Sequence, residues 1–277
     1  MKKSFNICLL INSTSSPFED LFYFEITRGI LEKSKEYGYN IVISEINNSR
    51  KNKLPNIVYS NDTDGIIFLQ DIDKDVRDEV KNTNIPFLVI DSHSVDNSIT
   101  AINPDYFTAS YTATNFLIKN GHKKIAFITS SFIPDFYDQT YSGFKKAMDE
   151  AMLSIKPEFI QVNSTNESTA FNCMEKILAN NTAPTAVMCS VDMFAIGAMK
   201  CAKEKGYKIP LDISFIGIDD IFLSNYTEPK LTTVKIDKTF MGFLAMDMII
   251  RKINAEEVEN YIVKSNEATV RDSVINI

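Results

Sequence analysis

Pro184-Thr185-Ala186-Val187-Met188-Cys189-Ser190-Val191-Asp192-Met193-Phe194-Ala195-Ile196-Gly197-Ala198-Met199 changes its hydrophobic period halfway along. Ala186 to Ser190 is an almost unbroken apolar run, as expected of a strand covered on both faces. From about Asp192 the apolar residues Ala195, Ile196, Met199 and Ala202 recur at helical spacing, and Gly206 supplies a stop. A second strand pattern, Ile213-Ser214-Phe215-Ile216-Gly217-Ile218, follows and ends in Asp219-Asp220. Strand, helix and strand in this order form a βαβ unit, and repetition of that unit builds a parallel sheet.

Working outward, the same alternation fills the chain. Further strands are expected at Phe5 to Ile11, Asn40 to Ile46, Gly65 to Leu69, Pro86 to Asp91, Lys124 to Thr129 and Glu158 to Val162. Helices are expected from about Asp20 to Tyr37, closed by Gly38, and from about Pro104 to Asn120, closed by Gly121. Phe243, Met246, Ile250 and Ile253 mark one more buried stripe. In Asn47 to Thr63, Pro55 and a polar cluster interrupt the pattern, so a short helix or a loop is expected there. At about 100 to 200 residues per domain, 277 residues suggest two domains. No low-complexity linker separates them. The carboxyl ends of strands in such sheets are where ligands bind.

Composition narrows the function. With 44% hydrophobic and 23% charged residues and only 9 Gly and 9 Pro, disorder and fibrous repeats are excluded. A net charge of -7 argues against a chain that grips DNA phosphates by itself. No window approaches the roughly 18 apolar residues of a membrane helix. The start Met1-Lys2-Lys3 is basic, but the short apolar run behind it lacks a cleavage site, so it reads as a first strand rather than a signal peptide. Cys8, Cys173, Cys189 and Cys201 have no paired spacing, which fits a reducing cytoplasm.

Catalytic and metal motifs are missing. There is no G-x-S-x-G, G-x-G-x-x-G, phosphate loop or H-E-x-x-H, so no enzyme, cofactor or metal centre is expected. Of the two histidines, His122 sits between a helix stop and a strand and reads as a packing residue. His93 follows Asp91-Ser92 at a strand end on a possible ligand-facing edge. Asp71 and Asp73 read as loop or cap residues. The pair Asp219-Asp220, at a strand's carboxyl end, either accepts hydrogen bonds from a ligand's hydroxyl or N–H groups or caps the following turn.

The opening stretch, the run Ile209-Pro210-Leu211-Asp212 through Asp220, and Pro229-Lys230-Leu231-Thr232-Thr233-Val234 resemble signatures of the LacI/GalR family of bacterial transcriptional regulators. Supporting matches are Ser16-Pro17-Phe18, Arg28-Gly29-Ile30, Asp64-Gly65-Ile66-Ile67, Ile85-Pro86, Ile90-Asp91, Gly121-His122-Lys123-Lys124, Gly143-Phe144 and Val270-Arg271-Asp272-Ser273. The resemblance implies an α/β fold of the periplasmic-binding-protein type I kind. It would have two Rossmann-like lobes of parallel sheets flanked by helices and three crossovers between them. The expected lobes are 5–120 plus 237–262, and 121–236 plus 263–277. The resemblance also implies a homodimer, a small-molecule effector held between the lobes, and operator DNA bound only through an N-terminal helix-turn-helix, which this chain is expected to lack.

Several positions depart from the family pattern. Where relatives carry an Arg three residues before the Gly-Phe pair, this chain has Thr140, so a fork onto hydroxyls or carboxylates is lost. Val191 replaces a usual Asn, and Tyr106 follows Asp105 where Asn is common. Asp219 remains as the acidic contact. Phe136, in the loop Phe132 to Tyr137, and Phe22 and Tyr23, near the first helix, offer an aromatic wall. The expected ligand set is therefore Phe22, Tyr23, Asp91, Phe136, Thr140, Val191 and Asp219, with no catalytic residue. These substitutions favour an effector less polar than a simple hexose, while a sugar stays open through Asp219, Thr140 and Asp91. A solute-binding protein of a transport system shares the fold and is the alternative reading; the missing signal peptide weighs against it.

Overall fold

The computed structural model describes residues 3–11, 19–46, 53–93 and 99–277. The Ser16-Pro17-Phe18 match and the residues 47–52 of the interrupted segment lie outside them. The chain divides into two compact units, Met1–Pro104 with Asp237–Val263, and Asp105–Ile236 with Lys264–Ile277. Each contains one six-stranded sheet.

In the first unit the strands are β1 (Asn6–Ile11), β2 (Asn40–Glu45), β3 (Gly65–Leu69), β4 (Phe87–Ile90), β5 (Ala101–Pro104) and, returning late in sequence, β11 (Tyr261–Val263). Their order is β11-β5-β4-β3-β1-β2, with every pairing parallel. The short strands β5 and β11 carry no long apolar run and were not expected. On one face Cys8, Leu10, Ile66, Phe68 and Val89 pack against Val58 of α2 (Asn56–Tyr59) and Val76 and Val80 of α3 (Lys74–Lys81). The other helices of this unit are α1 (Leu21–Tyr37) and α8 (Lys238–Ile253). Helix α1 starts where the Asp20 carboxylate accepts the Phe22 N–H at 2.9 Å, and it ends at Gly38, whose φ of 68° suits glycine. Its Gly29 lies so close to α8 that a Cβ would stand 2.5 Å from the Thr239 carbonyl oxygen. The Arg28-Gly29-Ile30 motif thus marks a helix crossing.

The second unit repeats the plan with β6 (Ile125–Ile128), β7 (Ile160–Gln161), β8 (Ala186–Cys189), β9 (Ser214–Asp219), β10 (Thr232–Lys235) and β12 (Ala268–Thr269). The order is β12-β10-β9-β8-β6-β7, and only the β10–β12 pairing is antiparallel. Helices α6 (Glu167–Leu178) and α7 (Asp192–Glu204) cover the face that presents Ala126, Ile128, Val187, Cys189 and Phe215. Helices α4 (Tyr106–Lys119) and α5 (Pro134–Glu150) pack on each other through Gly143, where an added Cβ would strike the Phe107 carbonyl oxygen and the Ser110 side chain. Next to it Phe144 stacks on Phe127 of β6, with ring centroids 4.8 Å apart.

That packing moves one boundary. The sequence expectation placed the first crossing near residue 120, whereas it falls after Pro104, because α4 covers the sheet of the second unit rather than that of the strand preceding it. The chain passes between the units again after Ile236 and after Val263. A second difference concerns Phe132 to Tyr137. Instead of a loop, α5 begins within it, with Pro134 in the first turn, where a missing N–H is harmless.

Candidate functional site

Each sheet has a point where neighbouring strands send their connections to opposite faces, between β1 and β3 in the first unit and between β6 and β8 in the second. Ligands of doubly wound sheets bind outside the strand carboxyl ends at such points.

In the first unit the register pairs Ile11 with Leu69 and Leu69 with Ile90, so three strands end level. Gln70 and Asp91 come next, both in the left-handed region with φ of 71° and 61°. Backbone outside the usual regions is held only where surrounding bonds fix it, and such residues cluster at ligand sites. Here Gln70 N–H donates to the Ile90 carbonyl and Asp91 N–H to the Ile102 carbonyl, each at 2.9 Å. Asp91 is buried, and its Oδ2 accepts the Tyr23 hydroxyl proton at 2.6 Å. The His93 Nε2 lies 3.6 Å from Asp91 Oδ1. Burial first, then the Asp91 charge and hydrogen bond, hold the Tyr23 phenol well above its ordinary pKa, so it is a neutral donor. Burial also raises the Asp20 carboxyl, assisted by the Asp91 charge and opposed by bonds from the Phe22 and Tyr23 N–H groups. Phe22 meets Tyr23 edge to face, with centroids 5.2 Å apart. Phe22, Tyr23 and Asp91 therefore share one edge, joined by Gln70, which also bonds Tyr23. Asp71, read as a loop or cap residue, accepts the Ser92 hydroxyl at 3.3 Å, while Asp73 occupies the N-cap position of α3 without a side-chain bond.

In the second unit Asp219 closes β9 with φ 117°, and Asp220 follows at 54°. Asp219 is 5% exposed. The turn beyond is locked by Asp192, which is fully buried: its Oδ1 accepts from Thr233 at 2.5 Å, and its Oδ2 from Ser224 at 2.7 Å and from the Ile221 N–H at 3.0 Å. A Cβ on Gly217 would collide with that carboxylate. Val191, just before it, has an extended backbone and packs on the α6–α7 core. Phe136 meets Tyr106 edge to face at 4.8 Å. Thr140 is completely buried. Its hydroxyl donates to the Phe136 carbonyl at 2.8 Å and sits 3.3 Å from the Thr129 hydroxyl. Its hydroxyl is spent on its own helix and on Thr129, so the Arg-to-Thr replacement turns a reaching side chain into a packing one. Asp192, Gln70 and Tyr106 were not singled out as site residues. The signal for Asp192 was its place at a strand-to-helix junction beside a neighbouring strand that carries a glycine, Gly217.

His122 is a packing residue, as its position suggested. It is 1% exposed, with Nδ1 3.1 Å from the Thr185 hydroxyl and Nε2 3.0 Å from the Ile275 carbonyl. All four cysteines are buried free thiols. Burial pushes Cys8 up to about 12 and Cys201 up to about 11, which leaves no thiolate for chemistry. Among the described residues no His, Cys, Asp or Glu group could hold a metal ion, and no helix is long and apolar enough to cross a membrane.

Two interleaved α/β units with this strand order define the periplasmic-binding-protein-like class. The family model for a periplasmic binding protein-like domain matches residues 114–274. The HTH-type transcriptional repressor PurR of Pasteurella multocida (strain Pm70) is 33% identical over 276 residues, covering 97% of this chain and 81% of its own. Catabolite control protein A of Priestia megaterium is 29% identical, covering 95% and 79%. Among solved structures, the transcription regulator CcpA of Lactococcus lactis superposes with a TM-score of 0.84 at 25% identity, over 97% of this chain and 99% of that one. A transcriptional regulator CelR–cellobiose complex reaches a TM-score of 0.88 at 19% identity, over 98% and 85%, a likeness of fold. The chain belongs to the LacI/GalR family of transcriptional regulators, and what it supplies is the effector-binding core of a regulator, not an enzyme.

Proposed function

We propose that this core senses a small molecule through the strand-carboxyl edges of its two units and passes the ligand state to operator DNA through a helix-turn-helix. The observation that carries this reading is the 33% identity to a transcriptional repressor across nearly the whole chain. The candidate effector contacts are Phe22, Tyr23 and Asp91 in the first unit and Phe136, Thr140, Val191 and Asp219 in the second. Aromatic and aliphatic side chains outnumber polar ones in that set, which favours an effector less polar than a plain hexose. The core would act in the cytoplasm as a homodimer, so that a change in ligand state alters the spacing of two DNA-reading heads.

The test pairs a thermal-shift screen of sugars, nucleosides and amino acids with light scattering. A ligand that binds only the native state raises the melting temperature. Stabilisation by plain hexoses alone would overturn the less polar effector, and a stable monomer at micromolar concentration would overturn the dimeric regulator.

A further inference from the structure

We infer that Lys252 is a site of covalent modification by small uncharged aldehydes: its amine, paired with the Thr100 hydroxyl, captures them as an imine.

The amine owes its character to the place where α8 ends. That helix runs back toward the strand starts, with Ile249 and Ile253 over Gly65 at the head of β3, so its last turn stands away from the carboxyl edge that carries Gln70 and Asp91. Lys252 is half-buried there, and its Nζ donates to the Thr100 hydroxyl at 2.8 Å. Thr100 is held in place: its carbonyl accepts the Val89 N–H at 3.0 Å, and the Ala101 N–H next to it donates to Asn260 Oδ1 at 2.9 Å. The helix end offers the ammonium little. The Ile250 and Arg251 carbonyls take the Asn254 N–H, and the Lys252 carbonyl takes the Ala255 N–H. Glu256, the first acid beyond the helix, lies 3.1 Å from Arg251 Nε. Among the described residues Lys252 has no carboxylate partner.

Other lysines are placed differently. Lys33, Lys145 and Lys205 each hold a carboxylate, of Glu36, Asp149 and Glu175, at 2.6 Å, and that contact favours the charged form. For Lys252 burial acts alone and pushes the amine below its ordinary pKa. Burial that disfavours the ammonium leaves more free amine at neutral pH, and lysines of that kind form imines with carbonyl compounds. The free pair on Nζ attacks the aldehyde carbon, while the aldehyde oxygen takes a proton from the Thr100 hydroxyl, which recovers one from the nitrogen. The carbinolamine then loses its C–O bond. Both amine protons leave with that oxygen as water, and nothing is oxidised or reduced.

Charge and size select the electrophile. Glu256, Glu257 and Glu259 follow α8 directly and are exposed, so an anionic acyl phosphate or oxo acid approaches against like charge. A half-buried amine admits a carbonyl compound of few carbons more readily than a bulky one.

Glycolaldehyde with cyanoborohydride, applied to the full chain at neutral pH to low conversion and followed by peptide mass spectrometry, tests this. Lys252 should carry at least about threefold more adduct than Lys33, Lys145 or Lys205. The ratio should fall with glyoxylate, the anionic counterpart, and vanish in the urea-unfolded chain. Adduct at Lys252 equal to or below that of the three paired lysines overturns the inference. So does a preference that persists in urea, since local sequence rather than the fold would then cause it. An equal ratio with glyoxylate overturns the selection for uncharged aldehydes. A Thr100→Val variant, shown to be folded by its melting temperature, should lose about half or more of the Lys252 adduct with Lys145 unchanged; an undiminished yield overturns the pairing with Thr100.

Discussion

Tyr23 donates its phenolic proton to Asp91 across 2.6 Å, tying the first turn of α1 to the carboxyl end of β4 68 residues further on. The bond is buried at both ends. A hydrogen bond to a buried charge contributes more than a neutral one, and removing the donor leaves the carboxylate without one of its partners. Tyr23→Phe keeps the ring against Phe22 and deletes only the hydroxyl. It should cost about 1–3 kcal/mol, read as a lower urea midpoint with an unchanged m-value. It should also weaken effector binding, because Asp91 is then less firmly placed.

Gly217 leaves the space that the Asp192 carboxylate occupies. Gly217→Ala would push Asp192 away from Thr233, Ser224 and the Ile221 N–H together, and these bonds hold the turn that follows Asp219. Overpacking of a tight interior usually costs about 1–3 kcal/mol, and breaking a buried polar cluster adds to it. The expected outcome is a loss at or above the upper end of that range. An Asp192→Asn change should be milder, since the amide retains one acceptor. Equal melting temperatures for wild type and Gly217→Ala would contradict this account.

How far the sequence could be read depended on whether burial left a trace in local pattern. Ile66 to Leu69 and Phe215 to Ile218 are buried on both faces, so their apolar runs announce parallel strands. Ala101–Pro104 and Ala268–Thr269 are only four and two residues long, too short to show a strand period even though Ala101 and Ile102 are buried. The side of the boundary on which α4 falls was hidden for another reason. An amphipathic helix shows that it covers a sheet, but not which one, and the deciding contact is Gly143 on a different helix. Among the candidate residues, the place of Asp219 at the end of β9 was legible from its strand pattern. Thr140 was legible as a position, while its full burial depended on α5 starting at Pro134.

His122 gives the molecule a pH response with a definite sign. Burial lowers its pKa, only partly offset by the bond to the Ile275 carbonyl, so the folded chain holds this ring neutral. The unfolded chain takes up a proton at about 6.5. Stability from this group is therefore complete above about pH 6.5 and is lost as pH falls through the lower folded value. Urea melts of wild type and His122→Gln at pH 7.5 and pH 5 should show a smaller acid loss in the variant. An equal or larger acid loss in the variant would contradict the neutral ring.

Arg271 joins the C-terminal segment to the end of β9 through a forked contact: Nη2 reaches Asp220 Oδ1 at 2.5 Å and Nη1 the Leu231 carbonyl at 2.7 Å. Both side chains of the pair are mostly buried, at 11% and 16% exposure. A lysine has one compact charge and cannot serve both acceptors in this geometry. Arg271→Lys should therefore cost about 1–2 kcal/mol, and Arg271→Ala more, because Asp220 then loses the guanidinium paired with it. A double-mutant cycle of Arg271→Ala with Asp220→Asn separates the pair from the packing of the arginine stem. Removing both should cost less than the sum of the single changes by about 1–3 kcal/mol, since the attraction between the two groups is then lost only once. Additive losses would mean that Arg271 stabilises through the Leu231 carbonyl and its stem alone. Asp220 directly follows Asp219, so the same Arg271 variants should also lower effector affinity if the forked contact fixes that strand end, whereas a purely additive pair should leave affinity unchanged.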